Sequence, residues 1–251
     1  MPARSDRGGT HRLVFLHGFT QTHHHWHGLA LGLGDRLGGV PALTFVDLPG
    51  HGLSTDDTTA IDEGADAVAV LGGAGTYVGY SMGGRFAVLA TLARPDLVER
   101  LVLIGATAGL VDAAERASRR VLDEERAARI EEIGVDPFLD DWLAAPMFAN
   151  LPHDRNGLEH RRHNTVAGLT HSLRSAGTGS QPSVWERLHE ITVPVLVLAG
   201  GHDTKFIDIG HRLAAAIPSA TFAEIPEAGH AAHIERSADT IDIVARWLGG
   251  P

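Results

Sequence analysis

Short runs of apolar and β-branched residues recur along the chain between turn signals: LVFL (13 to 16), ALTFVD (42 to 47), TYVGY (76 to 80), LVLIG (101 to 105), VPVLVLAG (193 to 200) and TFAEI (221 to 225). Their length and flanks read as buried strands. Between several of them lie stretches with helical character, such as FAVLATLA after residue 85 and TIDIVARWL near the end. Strands alternating with helices predict an α/β fold whose mostly parallel central sheet carries helices on both faces. In such sheets, ligands bind beyond the strands' carboxyl ends.

The strand pattern stops between about 109 and 183. There the chain becomes charged and helical, with VDAAERASRRVLDEERAARIEEIG followed by FLDDWLAAPMFANL. This predicts a helical cap over 109–183 inserted into a core made of 1–108 and 184–251. The first cap helix should end at Gly134, with later turns at Pro152, Gly157, Gly168, Gly177, Gly179 and Pro182.

Gly79-Tyr80-Ser81-Met82-Gly83 follows a predicted strand and opens a predicted helix, the context in which G-x-S-x-G points to an exposed nucleophile. A serine needs a base, and the base needs an orienting acid. Asp203 follows the strand VPVLVLAG and His230 follows TFAEI, so both fall just past strand ends. With 16 histidines in the chain, His230 is preferred by position alone. Its nearest competitors are His202 and His233, and Asp208 is the rival acid. The backbone N–H groups of Met82 and of Phe19, in FLHGF after the first strand, are the expected oxyanion donors.

Arg85 does not belong to that relay. One helical turn past Ser81, a cation is disfavoured by the helix dipole, which points to a compensating partner: a surface carboxylate, or an anionic substrate group beside Ser81. Further arginines at 116, 119, 120, 161 and 162 lie in the cap, and Arg120 with Glu124 has the spacing of a solvated ion pair. The run HHHW at 23 to 26 has no acidic residue at ligand spacing, so no metal is expected there.

Composition narrows the partners. A net charge of −10 argues against nucleic acid and means that an anionic substrate needs a local cluster of cations. No apolar run approaches the roughly 20 residues of a membrane span, and MPARSDRGGTHR does not read as a signal peptide, which makes the cytoplasm the expected location. The absence of cysteine excludes thiol chemistry. The pattern carries no information on oligomeric state.

FLHGF, DLPGHG, GYSMGGR and AGH, in that order over nearly the whole chain, resemble the α/β-hydrolase superfamily. GYSMGGR with its arginine, DDWLAAPMFANL, GGHDTKF and AGHAAHIE together resemble the SHCHC synthases of menaquinone biosynthesis, which release pyruvate without a cofactor. The resemblance implies that Arg85, Arg119 and Arg161 bind substrate carboxylates with Trp142 nearby. Motif matching leaves Arg162 open as the alternative to Arg161. Lys205 and Phe206 match the family pattern as well, whereas Leu143 stands where an aromatic often follows the tryptophan. The implied chemistry uses Ser81, with His230 and Asp203, as a base that forms an enolate held by Met82 and Phe19. Two other readings remain: a carboxylester or carbon-carbon bond hydrolase acting on an anionic small molecule, and a non-catalytic binding protein on the same fold.

Overall fold

A computed structural model describes residues 12–39 and 42–249; the N-terminal stretch read above lies almost wholly outside them. All six predicted strands form: β1 (Arg12–Leu16), β2 (Ala42–Val46), β3 (Gly75–Tyr80), β4 (Val98–Ile104), β5 (Val195–Gly200) and β6 (Ala220–Ile225). They make one sheet in the order β2-β1-β3-β4-β5-β6, with every pairing parallel.

Burial on both faces explains why the central strands are mostly apolar, whereas the edge strands β2 and β6 are partly exposed. In β1, Val14 and Leu16 enter the core on one face while Leu13 and Phe15 enter the other, and β5 divides Val195 and Val197 from Leu196 and Leu198 in the same way. The first face is covered by α2 (Ile61–Gly72), α3 (Met82–Ala93) and α8 (Thr204–Ala216), through Ile61, Ala65, Phe86 and Leu213. The second is covered by α1 (His27–Arg36) and α10 (Ser237–Gly249), through Leu29, Leu33 and Val244.

Between β4 and β5 the chain leaves the sheet and forms α4 (Ala113–Ile133), α5 (Val135–Leu143), α6 (Leu158–Arg161) and α7 (Val166–Ala176). Asp112 caps α4 by accepting the Glu115 N–H at 2.7 Å, and Gly134 ends it with φ of 81°. α4 and α7 pack on each other through Ala127, Ile130, Leu169 and Leu173. No helix among the described residues is long and apolar enough to cross a membrane.

The strand order decides where a site can form. The chain runs from β1 outward to β2 and returns to β3 on the other side of β1, so the order reverses between β1 and β3. A crevice opens at the carboxyl ends of that pair. β1 leads into Phe19 and β3 leads into Ser81.

Candidate active site

Ser81 sits in the turn from β3 to α3 with φ of 50° and ψ of −107°, a left-handed conformation costing about 1–3 kcal/mol in a non-glycine residue. The turn closes because its neighbours have no side chains. A Cβ on Gly83 would lie 2.0 Å from the Leu16 carbonyl oxygen, and one on Gly79 would lie 2.5 Å from that of Gly83. The Ser81 N–H continues the ladder to Ile104 at 2.9 Å, so the strain is held from both sides.

His230 Nε2 lies 3.1 Å from Ser81 Oγ, and His230 Nδ1 lies 2.6 Å from Asp203 Oδ2. With Nδ1–H donating to the carboxylate, Nε2 is left to accept from the serine. The imidazole is 3% exposed and packs against Phe206 and Tyr80, with ring centroids 4.6 and 5.4 Å away. α9 (Ala232–Glu235), a short helix, follows it. Its last residue, Glu235, accepts the N–H groups of both Gly229 and Ala231, clamping the peptide on either side of His230. The sequence reading gave Glu235 no role, although it lies within the motif AGHAAHIE.

The competitors lie elsewhere. His202 meets Asn150 Nδ2 at 3.0 Å. His233 is buried against Trp26 and Tyr80, and burial pushes its pKa down to about 3. Asp208 is exposed on α8.

Phe19 and Met82 both line the space over Ser81. Met82 is the first residue of α3, so its N–H has no acceptor within the helix. In the loop after β1, the Gly18 and Thr20 N–H groups donate to Gln21 Oε1 and His51 Nε2. The N–H of Phe19, between them, has no protein acceptor among the described residues. His17 braces this loop: Nδ1 donates to the Gly18 carbonyl at 2.8 Å and Nε2 accepts from Leu48 N–H at 3.0 Å. His17 and His51 are neutral, their pKa values pushed down by burial to about 4 and about 3.

A cavity of about 280 Å³ opens over Ser81 between the sheet and the inserted helices. It is lined by Ser81, His230, Asp203, Phe19 and Met82 from the core, and by Arg119, Trp142 and Arg161 from the insertion; Arg85 reaches it from α3. A second space of similar size adjoins it, sharing Ser81, Arg85, Arg119, Lys205 and Phe206.

Arg85 is 6% exposed and donates to Gln181 Oε1 at 2.9 Å and to the Ala176 carbonyl at 2.7 Å. Arg161 is 1% exposed and donates to the Asn156 carbonyl at 2.9 Å and to Thr20 Oγ1. Neither forms an ion pair with a carboxylate among the described residues. Burial, helped at Arg85 by the Arg119 charge, pushes both down to about 10, so both remain cations at neutral pH. A buried cation satisfied only by neutral oxygens is costly, and an anion beside it relieves that cost.

The other cap arginines separate by position. Arg119 lines the cavity and donates to Asp123 Oδ1 at 2.8 Å, while Arg162 is exposed, 3.4 Å from Asp136. Arg116 donates to the Leu110 and Val111 carbonyls. The expected Arg120 to Glu124 pair does not form. Arg174 of α7 takes Glu124 with two hydrogen bonds of 2.7 and 2.9 Å, and Arg120 turns to the Gly179 carbonyl. The packing of α7 on α4 offers Glu124 a fork matching its two oxygens, which a helical neighbour does not.

Trp142 meets Phe19 edge-on at 5.4 Å and stacks with Phe138 at 6.1 Å. Leu143, next to it, does not line the cavity. Sequence reasoning missed Arg126, whose guanidinium lies 5.6 Å from the Trp142 ring and 3.2 Å from Asp123 Oδ1, and it missed Asp123 itself. The i, i+3 and i, i+4 spacings around Asp123 were the available signal, but they do not say which helix face meets the cavity.

Comparison with known proteins agrees with this architecture. Residues 13–243 match the model of the alpha/beta hydrolase family. The chain belongs to that family. It is 33% identical to 2-succinyl-6-hydroxy-2,4-cyclohexadiene-1-carboxylate synthase of Salmonella typhimurium, over 96% of this chain and 94% of that protein. The Escherichia coli O1:K1 protein of the same name is 32% identical over 98% and 97%. Among solved structures, MenH from S. aureus superposes with a TM-score of 0.81 at 29% identity, covering 98% of this chain and 97% of that one.

Proposed function

We propose that the protein is a cofactor-independent carbon-oxygen lyase that eliminates pyruvate from 2-succinyl-5-enolpyruvyl-6-hydroxy-3-cyclohexene-1-carboxylate to give SHCHC in menaquinone biosynthesis. The observation that carries this reading is the pairing of a serine–histidine–aspartate relay with two buried arginines that have no carboxylate partner among the described residues, all on one cavity. Likeness to the synthases over nearly the whole chain supports it.

In this mechanism Ser81 passes its hydroxyl proton to His230, and Asp203 stabilises the imidazolium. Ser81 Oγ removes the ring proton alpha to the succinyl ketone. The C–H electrons move into an enolate whose oxygen is held by the N–H groups of Met82 and Phe19. Collapse of the enolate shifts the ring double bond and breaks the bond to the enolpyruvyl oxygen. The leaving group takes up a proton and becomes pyruvate, so no water is consumed. Arg85, Arg119 and Arg161 hold the substrate's carboxylates, and Trp142 with Phe19 forms an apolar wall beside the ring. The helices over 109–183 act as a cap that shields the enolate from water. A cytoplasmic location is part of the same proposal and is checked by cell fractionation.

Pyruvate release from freshly generated substrate, with Ser81→Ala in parallel, tests the assignment. Rapid release that depends on Ser81 is expected. A folded protein that releases none, yet shows burst kinetics on an activated ester, would replace the lyase with a hydrolase.

A further inference from the structure

The histidine run at 23 to 25 is not absorbed by this chemistry. It forms a short 3-10 turn ahead of α1, where His24 and His25 meet His160 from a distant part of the chain. His24 stacks on His160 of α6, with ring centroids 4.3 Å apart and planes 16° from parallel. His163 lies 6.2 Å from His160 and 6.4 Å from His24, centroid to centroid. One nitrogen from each of these three rings falls within 4.8 Å of the others, as do nitrogens of His23, His24 and His27. His23 is anchored from behind, its Nδ1 2.7 Å from Oδ2 of Asp47. The cluster was invisible in the linear chain because His160 and His163 come from the insertion.

We propose that His24, His160 and His163 form a three-histidine site for a borderline divalent transition metal of the zinc, nickel or copper class. Imidazole nitrogens alone suit these ions and not magnesium or calcium, and three such donors leave a fourth position for water. The site joins the loop after β1 to α6, so a bound ion clips the insertion to the core. Arg161 lies between His160 and His163 in sequence, and its guanidinium lines the cavity over Ser81. The ion therefore restrains the segment that carries one of the two buried arginines. This inference is independent of which reaction the cavity supports.

Tag-free, metal-stripped full-length protein titrated calorimetrically with zinc or nickel chloride tests the site, with magnesium chloride as the control. One zinc is expected to bind more tightly than about 100 µM, and magnesium not at all. Zinc at 100 times its dissociation constant should raise the melting temperature by about 5–10 °C. His24→Ala and His160→Ala should each weaken binding at least about tenfold, and His27→Ala by less than about threefold, with metal-free melting temperatures near that of the parent. Zinc should also slow amide exchange over 158–164 in the parent but not in His24→Ala. Loss of binding in His27→Ala with retention in His160→Ala would put the ion in the first loop alone and overturn the clip. Undiminished affinity in both His24→Ala and His160→Ala, or no binding below about 1 mM, would overturn the site.

Discussion

The two walls of the cavity are built on opposite principles. On the sheet side, Ser81, His230 and Asp203 stand at the ends of three parallel strands, and strain, close glycine contacts and the Glu235 clamp fix their geometry. On the opposite side, Arg119 and Arg161 reach the cavity from inserted helices packed around a core of a few residues, and Arg85 leans across from α3 onto Gln181 and the Ala176 carbonyl of the insertion; among the described residues, Arg85 and Arg161 meet only neutral oxygens. In the proposed reaction the sheet side is preorganised for bond breaking, whereas the arginine side is completed by the substrate's carboxylates. Substitutions should therefore separate stability from activity differently on the two walls.

The largest effect is expected from Ser81→Ala, which should lower pyruvate release by about 10³-fold or more while the fold persists. Ser81→Gly should be equally inactive but should melt higher by roughly 2–4 °C for each kcal/mol of backbone strain relieved. Equal melting temperatures for the two variants would show that the turn is not strained. Gly83→Ala should fail differently: its methyl group collides with the Leu16 carbonyl, so soluble yield and melting temperature should fall together with activity.

On the other wall, Arg85→Met should lower kcat/KM by about 10- to 100-fold, the value of one or two charge-assisted hydrogen bonds. Its melting temperature should stay the same or rise, because an uncompensated buried charge is removed. Parallel losses of stability and activity would make Arg85 a structural residue and dissolve the contrast between the walls.

An effect read in stability and not in activity is a pH dependence on the sheet side. His17, His51 and His233 have folded-state pKa values pushed below the ordinary 6.5 by burial, to about 4, 3 and 3. Between those values and 6.5 the unfolded chain binds more protons. Stability is thus fully present above about pH 6.5 and falls as pH drops toward 4, by up to about 1.4 kcal/mol per unit for each histidine. Melting scans from pH 7.5 to 5 should show this decline. The buried arginines stay charged across that window, so substrate affinity should not follow the same curve.

The difference between the walls also explains what was legible in the chain. Runs of apolar residues at strand length marked all six strands; in the central strands burial on both faces leaves no room for alternation, while the edge strands β2 and β6 were legible from shorter apolar and β-branched runs between turns. The elbow was legible because its tight contacts admit only glycine beside the serine, and Asp203 and His230 because loops past parallel strands return to the same end of the sheet. No such local rule governs the insertion. Whether Arg161 or Arg162 enters the cavity depends on how α6 rolls against Thr20 and Asn156. Glu124 abandons Arg120 because α7 brings Arg174 across, and Asp123 gathers Arg119 and Arg126 through helix phase.

The fold, the elbow and its chain order were written in local pattern, since strand burial and turn sterics act over a few neighbouring residues. The choice of arginines, the clamp of Glu235 on the His230 loop and the meeting of His24 with His160 came from packing between segments far apart in sequence. Contacts of that kind are set by which helix faces press together, a property that residue spacing along one helix does not contain.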